Sequence, residues 1–470
     1  MRPAAGTASG FLGKPDGGQR LPVYPALSVG YTRLSMVQQG RIEREGTSLH
    51  YLDWNPEAGP RPAVLLLHGL SSNATFWTRV ATRLPDRRLI AMDQRAHGSS
   101  DAPEDGYEPA TLAADAAALV EELELGRVVV AGHSWGGTIA LQLSADRPDL
   151  VSGLAVIDGP VRPWSETGLS WADAERFMQP PLPVYSRLEE AVAEKQAMLK
   201  AAWQDDLVEF VKAGLVAEGA GFRLPLTGPI RHQILHAMFF QPYDLLWTQV
   251  SCPVLLALAR QSGESTFAEF KRKSAAMIAG QVPGTAVHWY ESGHDIPLER
   301  PEEIAVELER LCLRAAFADV TAEIGEVEVG GPGAGRAEHG RHVWDAPTGY
   351  LDWTAKDLLA HLSSTQAALP AVAASRRGTE TGGRSEKFDG DRWNASQIRR
   401  RKETPAAELL AELRKVAAEM DPILAELPVD EIIGAGPYAG ETAAAAMGNM
   451  VKHQREHLAE LKRSLAAASV

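Results

Sequence analysis

Six short, largely apolar runs recur between residues 63 and 290, at 63–67, 89–92, 127–130, 154–157, 254–257 and 286–290. A strand with one wet face alternates apolar and polar residues. A run that is apolar throughout is a strand buried on both faces. Helical stretches such as 109–123 and 137–144 separate most of these runs. Doubly buried strands alternating with helices predict a mostly parallel sheet covered by helices on both sides. Residues 42–51 add a hairpin that turns at Glu45-Gly46.

The alternation stops between residues 160 and 250. That stretch is expected to be all helical, broken at Pro180-Pro181, Pro225 and Pro229, with a long amphipathic run at 186–202. Inserted between two sheet strands, it predicts a lid. After Leu313 no strand-like run follows. Helical segments at about 315–327, 354–370, 405–419 and 441–467 flank a loop-like Gly-rich segment at 330–335, and four helices without strands predict a four-helix bundle. Residues 1–35 are rich in Gly and Pro and lack the apolar stretch of a signal peptide, so a disordered extension is expected there. The expected organisation is therefore an extension at 1–35, an α/β domain at 36–314 with its lid at about 160–250, and an all-α domain at 315–470.

The formal net charge of −14 argues against a general binder of nucleic acid or anionic membrane, both of which need a basic surface. No apolar run approaches the roughly 20 residues of a membrane helix. Two cysteines, Cys252 and Cys312, make no disulfide framework and fit a reducing cytoplasm.

Within the sheet pattern, Gly132-His133-Ser134-Trp135-Gly136 reads G-x-S-x-G. Five residues with three fixed positions arise by chance. This set, however, follows the apolar run 127–130 and precedes the helix at 137–144. A serine on a strand-to-helix turn stands above the sheet in strained backbone, and glycines on either side let neighbouring elements pass close by. Ser134 is thus the candidate nucleophile. Its base candidate is His294, in Glu291-Ser292-Gly293-His294-Asp295, just past the run 286–290. Among the other histidines, His133 and His288 read as structural. His232 and His236, four apart in the lid, read as packing or substrate contacts. Backbone amides of Trp135 and of Leu70, which follows His68-Gly69, are the oxyanion-hole candidates.

With Asp93-Gln94-Arg95-Ala96-His97-Gly98-Ser99-Ser100 after the second run, the elbow and the late Gly293-His294, residues 37–313 resemble the α/β-hydrolase superfamily. The resemblance implies a triad acid. The family usually places an Asp after the strand corresponding to 254–257, but here that loop offers only Glu264. Asp158, after the preceding strand, is the other position the family permits. Position favours Glu264, while Asp158 also reads as a turn residue before Gly159-Pro160. The 93–100 loop is mainly structural in such proteins. Relatives that open epoxides or displace halide use Asp at the elbow, so Ser134 favours acyl transfer on an ester, thioester, lactone, amide or activated C–C bond.

In the last domain, Thr354 with Asp357 three residues on predicts a capped helix start, placing His361 two turns into a helix. His453 and His457 are four apart and share one face. Two imidazoles on one face and a third from a neighbouring helix can hold a metal. The spacing fits packing histidines equally well. His453 to His457 also fits H-x-x-E-H, but the 13 residues after His457 are too few for a further ligand helix, and Glu456 points about 100° away from the shared face. Trp353-Thr354-Ala355-Lys356-Asp357, His361 and His453-x3-His457 resemble the DinB-like superfamily, which includes mycothiol-dependent maleylpyruvate isomerases. The resemblance covers about 315–470. It implies that His361, His453 and His457 ligate a divalent metal, zinc or nickel, and more weakly that a low-molecular-weight thiol is a cofactor.

The expected function is a cytoplasmic serine hydrolase of a small-molecule acyl bond carrying a metal-binding bundle. The alternative is a detoxification or self-resistance protein whose bundle holds the main chemistry. A non-catalytic pair of ligand-binding modules is the third reading.

Overall fold

The structure, a computed structural model, describes residues 37–59, 61–179, 181–260, 266–327, 343–350, 353–374, 389–433, 438 and 440–468. The expected extension at 1–35, the Gly-rich segment at 330–335 and Glu264 lie outside the described residues.

Eight strands form one sheet: β1 (Val37–Arg44), β2 (Thr47–Trp54), β3 (Val64–Leu67), β4 (Leu89–Met92), β5 (Val128–His133), β6 (Val151–Ile157), and, after the lid, β10 (Val254–Ala259) and β11 (Ala286–Tyr290). Their spatial order is β1-β2-β4-β3-β5-β6-β10-β11, with β1 and β2 antiparallel to their neighbours and the rest parallel. The β1–β2 hairpin turns on Glu45 and Gly46, both at positive φ (51° and 76°). That backbone matches the twist of a two-residue hairpin. Strand β3 shows why its sequence is apolar throughout. Leu65 and Leu67 join one buried cluster and Val64 and Leu66 the other, so both faces of the sheet are core.

Helix α1 (Pro109–Glu122) and helix α2 (Trp135–Asp146) follow β4 and β5. The lid contains α3 (Trp171–Met178) and α4 (Gly228–Phe239). It also contains a three-stranded sheet of β7 (Val184–Tyr185), β8 (Val216–Glu218) and β9 (Gly221–Arg223), in the order β7-β9-β8. The expectation of an all-helical lid is thereby corrected. These strands are two or three residues long, and Gly219, at φ 58°, turns β8 into β9. Nothing so short builds a period-2 pattern.

Helix α5 (Thr266–Gln281) precedes β11, and α6 (Pro301–Gly325) follows it. Helix α6 packs Ile304, Leu308, Leu311, Cys312 and Ala315 under the sheet. Its later residues Leu313, Ala316, Phe317, Val320 and Ile324 enter a second core. The expected domain boundary at 314/315 thus falls inside one continuous helix. That second core is shared with α7 (Ala355–Ala374), α9 (Ala406–Ala425) and α10 (Ala443–Ala468), which pack in a ring with α6. A further helix, α8 (Gly390–Arg401), rests on α7. It has no buried residue and hence no apolar stripe to read. Its start is fixed by Asp389, whose side chain accepts from Arg392 N–H, and three arginines sit in its last turn, where the helix dipole favours them. Cys252 and Cys312 are buried and unpaired. Among the described residues no helix is long and apolar enough to cross a membrane.

Candidate active site and candidate metal centre

At the end of β5 the chain turns at Ser134, with φ 53° and ψ −121°. A non-glycine residue there is strained and is held by its surroundings. Ser134 N–H donates to Ile157 O at 2.9 Å, tying the elbow to β6. The two glycines are required by space. A Cβ on Gly132 would lie 2.1 Å from Gly136 O, and one on Gly136 would lie 2.3 Å from Leu67 O. Trp135 opens α2, so its N–H has no intrahelical acceptor. The loop after β3 passes over the elbow, since a Cβ on Gly69 would stand 3.1 Å from Ser134 Cβ. Leu70, the next residue, is therefore beside the turn.

Strands β6, β10 and β11 bring the other members to the same edge of the sheet. His294 Nδ1 lies 2.8 Å from Asp158 Oδ2. The carboxylate is 3% exposed and the imidazole 53%. Asp158 also sits at positive φ (46°), and its other oxygen accepts from Ala259 N–H at 2.8 Å and from Lys271 Nζ at 2.6 Å. Asp158 is the acid candidate that the described residues bring to His294. An imidazole Nδ1 offers one position, and Asp158 takes it, whereas position in sequence favours Glu264. Burial alone would raise the Asp158 carboxyl, but the hydrogen bond from His294 and the charge of Lys271 outweigh it and hold it below the usual range. Burial pushes His294 down, and the hydrogen bond and charge of Asp158, aided by Asp295 and opposed by Lys271, carry it above the usual value. No hydrogen bond joins Ser134 to His294 among the described residues. Such bonds commonly tighten only when substrate binds.

Two further residues support the site. Lys271 comes from α5 and was not singled out from sequence. His133, in the variable position of the elbow, has Nε2 2.9 Å from His294 O and stacks on Phe76 at 4.7 Å between ring centroids. Burial, with His294 beside it, lowers His133 to about 4, so it is the neutral ring that donates to the carbonyl and holds the His294 loop. In the 93–100 loop, Asp93 accepts from Ala74 N–H (2.6 Å) and Ser99 N–H (3.0 Å) and lies 2.8 Å from His50 Nδ1. That geometry fits a structural loop. His288 faces Glu307 at 2.9 Å, and His232 faces Glu175 at 3.0 Å within the lid.

In the ring of helices, His361 on α7 meets His453 and His457 on α10. One nitrogen from each lies within 4.8 Å of the others. His361 Nε2 and His453 Nε2 are 2.9 Å apart. Two nitrogens bonded at 2.0–2.1 Å to one tetrahedral zinc would be about 3.4 Å apart, so this pair would open slightly to hold one. Burial, then the neighbouring histidines, lowers His361 to about 3 and His457 to about 4, and burial lowers His453 too. All three are neutral near pH 7, the state a metal requires. His457 Nδ1 is buried without a hydrogen-bond partner. Tyr350 and Trp353 wall the cluster, with ring centroids 4.5 Å from His457 and 5.1 Å from His361. The expected helix cap is present: Thr354 N–H donates to Asp357 Oδ2 at 3.0 Å and Asp357 N–H to Thr354 Oγ1 at 3.2 Å.

The profile of the alpha/beta hydrolase family matches residues 64–308, and that of the mycothiol maleylpyruvate isomerase N-terminal domain matches residues 333–459. A 2-(acetamidomethylene)succinate hydrolase of Mesorhizobium japonicum is 41% identical over 112 residues, which are 24% of this chain and 40% of that protein. Lipase LipV of Mycobacterium tuberculosis is 37% identical over 116 residues, 24% of this chain and 42% of its own length. A soluble epoxide hydrolase of a Corynebacterium species is 35% identical over 114 residues, 24% of this chain and 38% of its own. The matched stretches thus span about two fifths of these relatives. The crystal structure of E-2-(acetamidomethylene)succinate hydrolase superposes with a TM-score of 0.50 at 23% identity, covering 59% of this chain and 99% of that one, a likeness of fold. With more than half its length matched by the family profile and the elbow and sheet order in place, the chain belongs to the alpha/beta hydrolase family of enzymes, joined to a DinB-like helical domain.

Proposed function

We propose that the chain hydrolyses an acyl bond of a small molecule through Ser134, His294 and Asp158. The observation that carries this reading is the 2.8 Å contact of His294 Nδ1 with a buried Asp158 beside the strained Ser134 turn. In this scheme Asp158 fixes the tautomer that leaves Nε2 free, and Nε2 takes the Ser134 proton as Oγ attacks the acyl carbon. The N–H groups of Leu70 and Trp135 receive the developing oxyanion. As the tetrahedral intermediate collapses, Nε2 gives that proton to the leaving alkoxide or thiolate, which departs as the acyl-enzyme forms. Water, deprotonated by the same Nε2, then attacks the acyl carbon, and Ser134 Oγ leaves and recovers its proton. Esters, thioesters and lactones are the substrate class that this chemistry fits. A fluorophosphonate should label the wild-type protein and not Ser134→Ala. The same reading expects Asp158→Asn to lower kcat about 10³–10⁴-fold and Glu264→Ala to lower it little. Labelling that survives in Ser134→Ala overturns the assignment.

The cluster of His361, His453 and His457 supports a second function in the same chain. Neutral, converging imidazoles on two helices fit a divalent metal of the zinc or nickel type. Three protein ligands would leave a position for water, a thiol or a substrate oxygen, and the metal would act there as a Lewis acid. On this reading the bundle acts on a reactive metabolite or a thiol adduct, as in detoxification or self-resistance, alongside the serine site.

A further inference from the structure

Lid helix α4 places one arginine without a counter-ion beside the serine site. Arg231 donates from Nε to Met178 O at 3.0 Å and from Nη1 to Ser71 Oγ at 2.8 Å. Among the described residues it has no other partner, and no carboxylate pairs with it. It is unlike the other partly or fully buried arginines of the α/β half. Arg44 and Arg95 pair with Asp115, Arg79 with Asp206, Arg87 with Glu309 and Arg88 with Asp53. Burial lowers Arg231 with no offsetting charge. A guanidinium has five N–H donors in a planar fork, and two are used here. A partly buried cation left unpaired in a chain of net charge −14 is costly to keep unless something supplies the anion.

The surroundings place that anion at the serine site. Ser71 follows Leu70, and Gly69 lies against Ser134. Ser71, which Arg231 contacts, is thus at most about 7.6 Å, two Cα steps, from Gly69, the residue that packs on the nucleophile. Ser71 itself is held at φ 64°, and its N–H donates to His97 Nε2 at 3.0 Å. His97, pushed down to about 3 mainly by burial, is neutral and offers Arg231 no anion. Ser72 Oγ, one residue on, is buried without a hydrogen-bond partner.

The geometry points to Arg231 as the anchor for a carboxylate on the substrate, so that the chain hydrolyses acyl compounds carrying a free acid a few bonds from the scissile carbonyl. Two parallel N–H groups of one guanidinium match the two oxygens of a carboxylate. The inference rests on the serine-hydrolase reading for the cleavage step, while the anchoring itself is a binding property.

The test compares mono-4-nitrophenyl esters of succinate, glutarate and adipate with their methyl-capped counterparts. At the best chain length, wild type should prefer the free acid. In Arg231→Gln the ratio of kcat/KM for acid over methyl ester should fall about 10- to 100-fold, the worth of a charge-assisted hydrogen bond. Arg231→Lys should recover part of that ratio, because it keeps the charge and loses the fork. An arginine that merely tethers the lid to Ser71 would change both esters alike, and an unchanged ratio overturns the anchor. Glutarate binding, measured by calorimetry, separates the two claims because it needs no nucleophile. Binding to wild type and not to Arg231→Gln upholds the anchor even if fluorophosphonate fails to label Ser134, an outcome that would sink only the serine reading. Equal glutarate affinity in both proteins sinks the anchor whatever the labelling shows.

Discussion

Replacing Lys271 by Met should move the acid limb of kcat/KM to higher pH. Lys271 Nζ is 2.6 Å from one oxygen of Asp158, and His294 Nδ1 is 2.8 Å from the other. Across the carboxylate the ammonium and the imidazolium are about 7 Å apart, and at an effective dielectric of 20 their repulsion is about 2.4 kcal/mol. His294 is 53% exposed, so solvent screening takes away roughly half, leaving about 1.2 kcal/mol, or about 0.9 pH unit. The sign follows from what faces the ring. Asp158 and Asp295 favour its protonated form, Lys271 opposes it, and neighbouring His133 is neutral. Lys195 lies near Asp295, at 3.8 Å, and stays in place. In the proposed mechanism His294 must be neutral to accept the Ser134 proton, so activity is expected to be lost as pH falls through its raised value. Without Lys271 that value rises further, and the limb follows it upward by about one unit. Lys271→Arg should leave it near its original place. The assay is kcat/KM for a 4-nitrophenyl ester from pH 5 to 9. A limb in Lys271→Met that stays put or moves to lower pH refutes the electrostatic coupling, whatever happens to the plateau.

Two further expectations test the bundle and the joint. Elemental analysis should find one divalent metal per chain after loading with zinc, lost when His453→Ala and His457→Ala are combined; equal metal in that double variant refutes the site. Arg87, 2% exposed, pairs with Glu309 through two hydrogen bonds of 2.7 and 2.8 Å, so Arg87→Met strands a buried carboxylate and should cost about 3–5 kcal/mol in denaturant unfolding. A loss below about 1 kcal/mol would mean that the pair is solvated.

The doubly buried strands announced the sheet because both of its faces are core, and a run such as 64–67 can be read without knowing its neighbours. Ser134 was legible for a related reason. Its glycines are demanded by backbone contacts within a few residues or across one strand. Asp158 was harder. An acid before Gly159-Pro160 looks like a turn, and its meaning comes from His294, 136 residues away. Lys271 was invisible, since a lysine on an amphipathic helix reads as solvated until the fold sets it 2.6 Å from a buried carboxylate. His453 and His457 could be read from helical spacing, while their meeting with His361 is a tertiary fact. The strands of the lid escaped because two or three residues carry no period.

Helix α6 explains why the two halves resisted a clean cut. In a tethered pair of domains the apolar stripe of a terminal helix ends where the first core ends, and a polar linker follows. Here the stripe passes from one core to the other with no polar break, and Ala315 and Ala316 face opposite cores on successive residues. Polar contacts pin the same joint from outside: Arg314 pairs with Asp421 of α9 at 2.7 Å, and Asp319 accepts from Arg455 of α10 at 2.9 Å as well as from Arg127 before β5. A truncation at 314 would strip Leu313 from the second core, in which it packs, and would break the pair of Arg314 with Asp421. At about 1.5–3 kcal/mol for a large apolar side chain returned to water, that is a sizeable share of the roughly 5–15 kcal/mol by which a domain is stable. The His cluster and the Ser134 elbow are therefore carried on one continuous packed framework, and a change on α6 that loosens either core is expected to be felt in both.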